Sequence, residues 1–181
     1  NLSLLGIRDL SIIDTSPEGR QKIQTEYIDN NKDLIRDIII TEVSREGQVF
    51  YIFNSVKRIE MKSKELRELL PEYIKVDYIH GQMLARDIKR AIHNFENGNT
   101  DVLIATTIIE NGIDIENANT MIIEGVEKLG LSQVYQLRGR IGRSNKKSYC
   151  YMLMNENKTK NAQKREESIR EFDNLTGIDL S

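Results

Sequence analysis

The sequence contains few residues that could cross-link the chain or hold a metal. Cys150 is the only cysteine among 181 residues, which excludes an intramolecular disulfide and a cysteine-rich zinc site. The two histidines, His80 and His93, are far apart in the sequence and do not indicate a structural metal site. With 39% hydrophobic residues, the chain has enough apolar material for one ordinary core.

Long apolar runs and an excess of one charge are also missing. No stretch approaches the roughly 18 apolar residues of a membrane-spanning helix, and the residues after Asn1 do not resemble a secretory signal. The 26 basic and 28 acidic side chains give a net charge of −2, which excludes a uniformly basic surface but allows a local basic patch. We expect a cytoplasmic protein that does not contact a membrane.

Apolar runs alternate with helical patterns along the chain and predict an α/β fold with a mostly parallel sheet of about six strands and helices on both faces. The predicted helices cover approximately residues 34–46, 56–70, 85–97 and 132–142. The predicted strands are Ile23 to Tyr27, Gln48 to Phe53, Ile74 to Ile79, Val102 to Thr106, Met121 to Glu124 and Ser148 to Met154.

The strongest local signal is the segment Gln136–Arg143, which combines glycines with arginines. Between residues 129 and 155 there are five basic residues and no acidic one. If Gly139 and Gly142 lie in a helix, each costs about 1 kcal/mol relative to alanine, so some function must offset that cost. On such a helix, Arg140 and Arg143 share one face, and guanidinium groups suit phosphate. A solvated basic helix end is the simpler alternative.

Polar residues also follow three predicted strands, where ligands bind in open α/β sheets. Thr106 and Thr107 follow one strand and precede a turn that contains Gly112 and Asp114. The hydroxyls suit a nucleic-acid phosphate, and the carboxylate suits a ribose hydroxyl. The alternative is that a threonine merely caps a short helix.

Two other strand ends carry weaker signals. Asn54 and Ser55 follow one strand, and His80 and Gly81 follow another. Asn54 could instead cap the next helix, and His80 could pack against the sheet edge. No G-x-x-x-x-G-K-[ST] loop and no acidic pair after a strand is found, so the sequence provides arginines for a phosphate but no site for Mg-ATP.

Together these segments resemble motifs IV, V and VI of superfamily 2 helicases, in the same order. Within that superfamily the chain resembles the bacterial transcription-repair coupling factors more closely than the RecG-type branch-migration helicases. The resemblance covers approximately residues 5–172. It rests on the segments Gly6–Ser11, Pro17–Arg20, Phe53–Val56, His80–Met83, Gly130–Arg140 and Arg143–Asn145.

The resemblance implies the second RecA-like lobe of an ATP-driven double-stranded DNA translocase that displaces stalled RNA polymerase in transcription-coupled repair. In such motors ATP with Mg²⁺ lies between two lobes and is bound mainly by the first, which carries Walker A and B. By this resemblance Arg143 is the arginine finger and Arg140 contacts the γ-phosphate. Gly112, Asp114 and Gln136 also bind the nucleotide.

The resemblance further implies partners and a DNA surface. The partners are double-stranded DNA, the first lobe, and RNA polymerase and nucleotide-excision repair proteins, which bind other domains. The residues expected on the DNA side are Asn54, Ser55, His80, Gly81, Thr106 and Thr107.

The expected domain organisation has three parts: an inter-lobe linker at 1–20, the lobe at 21–155, and the start of a helical coupling motif at 156–181. Two residues depart from the family pattern, because Ser55 replaces an arginine and Glu166 replaces a leucine. Without Walker A and B, these 181 residues alone are expected to be inactive.

Three alternatives stay open. One is a RecG-type lobe, and another is a non-catalytic interaction lobe that binds no phosphate. The third is a nucleic-acid-binding module of the KH type, which carries a G-x-x-G loop like Gly139–Gly142 but is smaller and three-stranded.

Overall fold

A computed structural model of the chain describes residues 23–107, 113, 115–154 and 168–169. The strands are β1 (Ile23–Asp29), β2 (Gln48–Phe53), β3 (Val76–Ile79), β4 (Val102–Ala105), β5 (Ala118–Glu124) and β6 (Ser148–Met154). The helices are α1 (Lys32–Ser44), α2 (Ile59–Leu69), α3 (Ala85–Glu96) and α4 (Leu131–Arg138), and a short 3₁₀ helix spans Val126–Lys128.

The six strands form one sheet in the order β1-β6-β5-β2-β4-β3, and every strand pair is parallel. This confirms the predicted fold class, a RecA-like α/β lobe. Because all strands run in the same direction, all their carboxyl ends lie at one edge of the sheet. We call this the carboxyl edge and the opposite one the amino edge.

The sheet is buried on both faces. One apolar cluster packs α3 and α4 against the sheet, with Phe95, Leu137 and Met152 among its buried members. The other packs α1 and α2 against the opposite face, with Ile39 and Leu66 among its members. Strands covered on both faces need continuous apolar runs, which explains why β2 and β4 show no polar alternation.

Several element boundaries differ from the sequence-based prediction by a few residues, and the differences at α2 and β5 are the most informative. Helix α2 begins at Ile59, three residues later than predicted, because the hydroxyl and carbonyl oxygens of Ser55 both accept from the Arg58 N–H in a preceding turn. Strand β5 begins at Ala118 and therefore includes Asn119 and Thr120, two buried polar residues that the apolar pattern did not reveal.

Two negative findings apply to the described part of the chain. None of its helices has the length and apolar character needed to span a bilayer. Nor do the side chains described there bring three or more histidine, cysteine, aspartate or glutamate residues close enough together to hold a metal ion.

Candidate functional site

Three loops with predicted DNA-binding residues lie side by side at the carboxyl edge. Strands β2, β4 and β3 are neighbours in the sheet and are followed by Asn54, Thr106 and His80 respectively. The parallel sheet thus brings together residues that are far apart in sequence. It places short polar side chains and exposed backbone on one continuous surface.

Asn54 and Thr107 connect two of these loops. Asn54 is exposed, and its Oδ1 accepts from the Thr107 hydroxyl at 3.5 Å. Asn54 does not cap α2, because the N-cap position of that helix is Arg58. Helix capping, the simpler role for Asn54, is therefore excluded, and its side chain lies at the surface of the carboxyl edge.

The two threonines after β4 differ in accessibility. Thr106 is only 6% exposed, and its backbone N–H donates to the carbonyl of Ile79 at 3.4 Å. This bond joins the ends of β4 and β3. Thr107 is half-buried and is the more accessible of the two hydroxyls.

His80 shapes its loop, whereas Gly81 presents backbone. The His80 ring stacks on Tyr78 with a centroid distance of 6.2 Å, and its Nδ1 accepts from the Gln82 N–H at 3.2 Å. Gly81 is exposed, and a Cβ added there would meet no heavy atom within 4 Å. Nothing in the described fold requires glycine at this position, whereas a ligand in close contact with the backbone would.

Sequence reasoning missed two basic residues at the same edge. Lys57 and Arg58 are exposed in the turn that follows Asn54, a turn that the sequence pattern assigned to a helix. The Arg58 guanidinium lies 5.4 Å from the centroid of the Phe53 ring, at the end of β2. Arg58 thus places a positive charge three residues after Ser55, the position where the family resemblance expects an arginine. A basic pair a few residues after a strand end is the signal that could have revealed it.

A partly buried ionic cluster connects the ends of β2 and β5 near this surface. The Tyr51 hydroxyl donates to Glu124 Oε1 at 2.5 Å, and Lys62 Nζ lies 3.1 Å from the same oxygen. Burial, reinforced by the charge of Glu124, raises the pKa of Tyr51 well above its usual value. The phenol therefore stays protonated and keeps donating this hydrogen bond.

The arginine segment lies at the opposite, amino edge. Helix α4 carries the chain across one face of the sheet and ends at Arg138. Beyond it, Ser144 Oγ donates to Asn119 Oδ1 near the start of β5, and Gly142 packs against Ile23 and Ser148, the first residues of β1 and β6. The rule that ligands bind beyond the carboxyl ends of strands therefore does not apply to this segment.

Neither Gly139 nor Gly142 lies inside a helix, so the predicted helix-propensity cost does not apply to them. Gly139 is the C-cap of α4, and Gly142 lies beyond it with φ of +79°, so neither occupies a helix interior. The conformation of Gly142 itself favours glycine, and a Cβ there would lie 3.2 Å from Ile23 Cγ1. Arg140 lies in the turn that follows α4 and Arg143 lies beyond that turn, so the two do not share a helix face.

The three arginines of the segment differ in exposure. Arg143 is exposed, and its Nη2 donates to the carbonyl of Gly139 at 3.1 Å. Arg140 is half-buried, and Gln136 is exposed on α4. Arg138 is only 1% exposed, with its guanidinium 5.5 Å from the centroid of the Tyr135 ring. Arg143 and Arg140 are therefore the surface cations here, and Arg138 belongs to the interior.

Gly112 and Asp114 were both predicted to bind nucleotide. They lie outside the described residues.

Comparisons with known proteins agree with this architecture. The sequence profile of the helicase conserved C-terminal domain matches residues 29–145. The transcription-repair-coupling factor of Staphylococcus haemolyticus is 46% identical over 97% of this chain, and that of Staphylococcus aureus strain USA300 is 45% identical over the same share. The chain spans 15% of the length of each of these relatives.

Solved structures share the fold. RecG bound to a three-way DNA junction superposes with a TM-score of 0.73 and 29% identity, over 93% of this chain and 25% of that one. A point-substitution variant of Saccharomyces cerevisiae Dbp5 bound to RNA and ADP BeF3 gives a TM-score of 0.62 over 91% of this chain and 41% of its own. At 18% identity, this second likeness shows the fold alone.

Proposed function

Because the chain belongs to the family of helicase conserved C-terminal domains, we propose that it is the second motor lobe of an ATP-dependent double-stranded DNA translocase. The observation that carries this proposal is the separation of two polar sites to opposite edges of one sheet. One site suits a nucleic-acid backbone and the other suits a nucleotide phosphate. A motor lobe needs both sites, because ATP hydrolysis at one edge has to change how tightly the other edge binds DNA.

We assign the carboxyl edge to DNA. Asn54, Thr107 and the backbone at Gly81 offer hydrogen-bonding groups to phosphate and sugar, and Arg58 adds a positive charge. Ser55 and His80 form the turns that present them, and Thr106 joins two strand ends. This donor set contacts a backbone without reading bases, as a translocase requires.

We assign the amino edge to the nucleotide held between two lobes. The exposed guanidinium of Arg143 and the half-buried Arg140 suit the terminal phosphate, because their planar forks donate paired hydrogen bonds and stay charged. ATP with Mg²⁺ would be bound mainly by the other lobe. An arginine finger that stabilises charge on the transferring phosphoryl contributes about 10³ to 10⁵ in rate.

The test is Arg143→Lys in a protein that contains both lobes. Lysine keeps the charge but loses the bidentate geometry, so ATP turnover should fall by a factor on the order of 10² while nucleotide affinity changes far less. Arg90→Lys is the matched control, since Arg90 is an exposed arginine on α3 that forms an ion pair with Asp87 and is not part of either proposed site. Equal and small effects of Arg143→Lys and Arg90→Lys on ATP turnover would contradict the assignment of Arg143 as an arginine finger.

Arg138→Lys is a poor control for the finger test. Arg138 is buried, so the substitution would disturb packing and would affect stability as well as activity. A loss of turnover in that variant has to be compared with its loss of stability before it is interpreted.

The similarity to transcription-repair-coupling factors supports a more specific proposal. We infer that the complete protein displaces stalled RNA polymerase in the cytoplasm and works with nucleotide-excision repair proteins through other domains. Release of a stalled RNA polymerase from linear DNA, dependent on ATP and on Arg143, tests this.

A RecG-type role is the second candidate, and the superposition on RecG bound to a three-way DNA junction favours it. The two roles differ in substrate. A preference for branched over linear duplex in ATPase stimulation, without polymerase release, would favour the RecG-type role.

A further inference from the structure

A cavity of about 380 Å³ lies beside α1, near the amino edge but on the face of the sheet opposite α4. Its floor is the α1 face of β1 and β6, which contributes Gln24, Glu26 and the two tyrosines Tyr149 and Tyr151. One wall is the second half of α1. The cavity is large enough for a side-chain-sized ligand.

Glu26 gives the cavity its chemical character. Its residue surface is only 1% exposed, and its Oε2 accepts from Gln24 Nε2 at 2.9 Å. Among the residues that the structure describes, nothing donates to its other oxygen, Oε1. A buried carboxylate with an unused acceptor destabilises the fold unless it is protonated or meets a donor.

The other charged groups around the cavity leave a negative excess. Glu42 is neutralised, because Arg45 donates to its two oxygens at 2.9 and 2.8 Å and the Thr120 hydroxyl donates as well. Arg45 also donates to the carbonyl of Lys147, so its guanidinium is already hydrogen-bonded within the protein.

The remaining cation among the described lining residues is Lys147, which is exposed and lies 5.6 Å from the Tyr149 ring. The two other carboxylates that line the cavity are Glu26 and Asp37. The phenol of Tyr151 is neutral, since burial and the nearby Glu26 charge raise its pKa. The described lining therefore carries three carboxylates (Glu26, Asp37 and Glu42) and two cations (Arg45 and Lys147), an excess of one negative charge.

From these observations we propose that the cavity binds an organic cation, a guanidinium or alkylammonium group. The buried Glu26 side chain turns toward the cavity and its carboxylate accepts from the cation, with the tyrosine rings around the alkyl part of the ligand. Guanidinium groups suit this site because their planar N–H donors match carboxylate oxygens and their faces stack on aromatic rings. The cation could be a free amine or the side chain of a protein segment, and the same chemistry serves both.

The experiment titrates the 181-residue chain with agmatine and follows binding by calorimetry. We expect saturable binding at one site that weakens at least about tenfold in Glu26→Gln, because the variant loses the charged acceptor. Glu68→Gln is the control, because Glu68 is an exposed carboxylate on α2 that does not line the cavity. Absence of saturable binding, or equal binding to wild type and Glu26→Gln, would overturn the proposal.

A second variant and a second probe extend the test. Gln24→Arg places a tethered guanidinium beside Glu26 and should abolish agmatine binding without lowering the melting temperature. Unchanged agmatine affinity in this variant would contradict the site. Nα-acetylarginine amide, a side-chain mimic, should bind as well as agmatine if the natural cation is a protein side chain, and at least about tenfold more weakly if it is a free amine.

Discussion

Gly142→Ala is the substitution whose cost can be worked out most directly from the structure. An alanine at φ of +79° costs about 1–2 kcal/mol, because its Cβ crowds the carbonyl oxygen. Its Cβ would also lie 3.2 and 3.3 Å from Cγ1 and Cδ1 of Ile23. Overpacking in a buried region adds about 1–3 kcal/mol, so we expect a total loss of about 2–5 kcal/mol in the free energy of unfolding.

Gly98→Ala is the matched control. Gly98 has the same φ of +79°, but a Cβ there would meet nothing within 4 Å. Gly98→Ala should therefore lower the free energy of unfolding only by the conformational cost of about 1–2 kcal/mol. Urea denaturation of the 181-residue chain, followed by circular dichroism, measures both variants, and unchanged m-values would show that the denatured states are comparable.

The packing contribution can also be isolated by a double-mutant cycle. Ile23→Ala should cost less when combined with Gly142→Ala than in the wild type, because truncation removes the atoms that the new Cβ would contact. Equal losses for Gly142→Ala and Gly98→Ala, with an additive cycle, would refute the claim that Gly142 is required by its contact with β1.

Four further predictions follow from the sequence and the contacts. The 181-residue chain alone should not hydrolyse ATP, because it has no P-loop lysine; turnover that survives removal of contaminating ATPases would contradict this. In the two-lobe protein, Arg58→Gln should weaken binding to all duplex sequences about equally and reduce the salt slope by about 1, whereas Lys64→Gln on the outer side of α2 should not, as measured by fluorescence anisotropy. Glu42→Gln should lower the free energy of unfolding by about 1–3 kcal/mol, since Glu42 is 1% exposed and accepts charged hydrogen bonds from Arg45, whereas the exposed Glu68→Gln should change it little. Burial raises the pKa of Glu26 above its ordinary value of 4.5, so the stability of the wild type should fall as pH rises from below 4.5 through the native pKa, and Glu26→Gln should lose this dependence in denaturation at several pH values.

The sequence predicted the fold well where one physical cause dominated. Strands β2 and β6 have the predicted bounds because each is a compact apolar run, and α3 begins at Ala85 as its period of 3.6 residues predicts. Prediction failed where a polar residue is buried against a partner far along the chain. Thr120 lies inside β5 because its hydroxyl donates to Glu42, a pairing that no local pattern encodes.

Some positions at the candidate site follow from a general rule, and others depend on contacts that only the folded chain shows. Asn54 and Thr107 were found because strand ends of a parallel sheet meet, which is a rule about topology. The position of the arginine segment depends on the length of α4 and on Gly142 packing against Ile23, which only the folded chain shows. Arg58 was missed because a local turn at Ser55 delays the start of α2.

The strand order also has a consequence for how the lobe folds. Within the part of the sheet that the structure describes, strand β1 has β6 as its single neighbour. Ile23 pairs with Ser148, so the two partners lie roughly 125 residues apart in the chain. Closing so long a loop costs entropy before any contact is gained, whereas β3 and β4 are close in sequence and can pair early. During synthesis the first strand has to wait for the last one to leave the ribosome. Until then its apolar residues stay exposed, which makes this end of the sheet the part most open to chaperones and to misassembly.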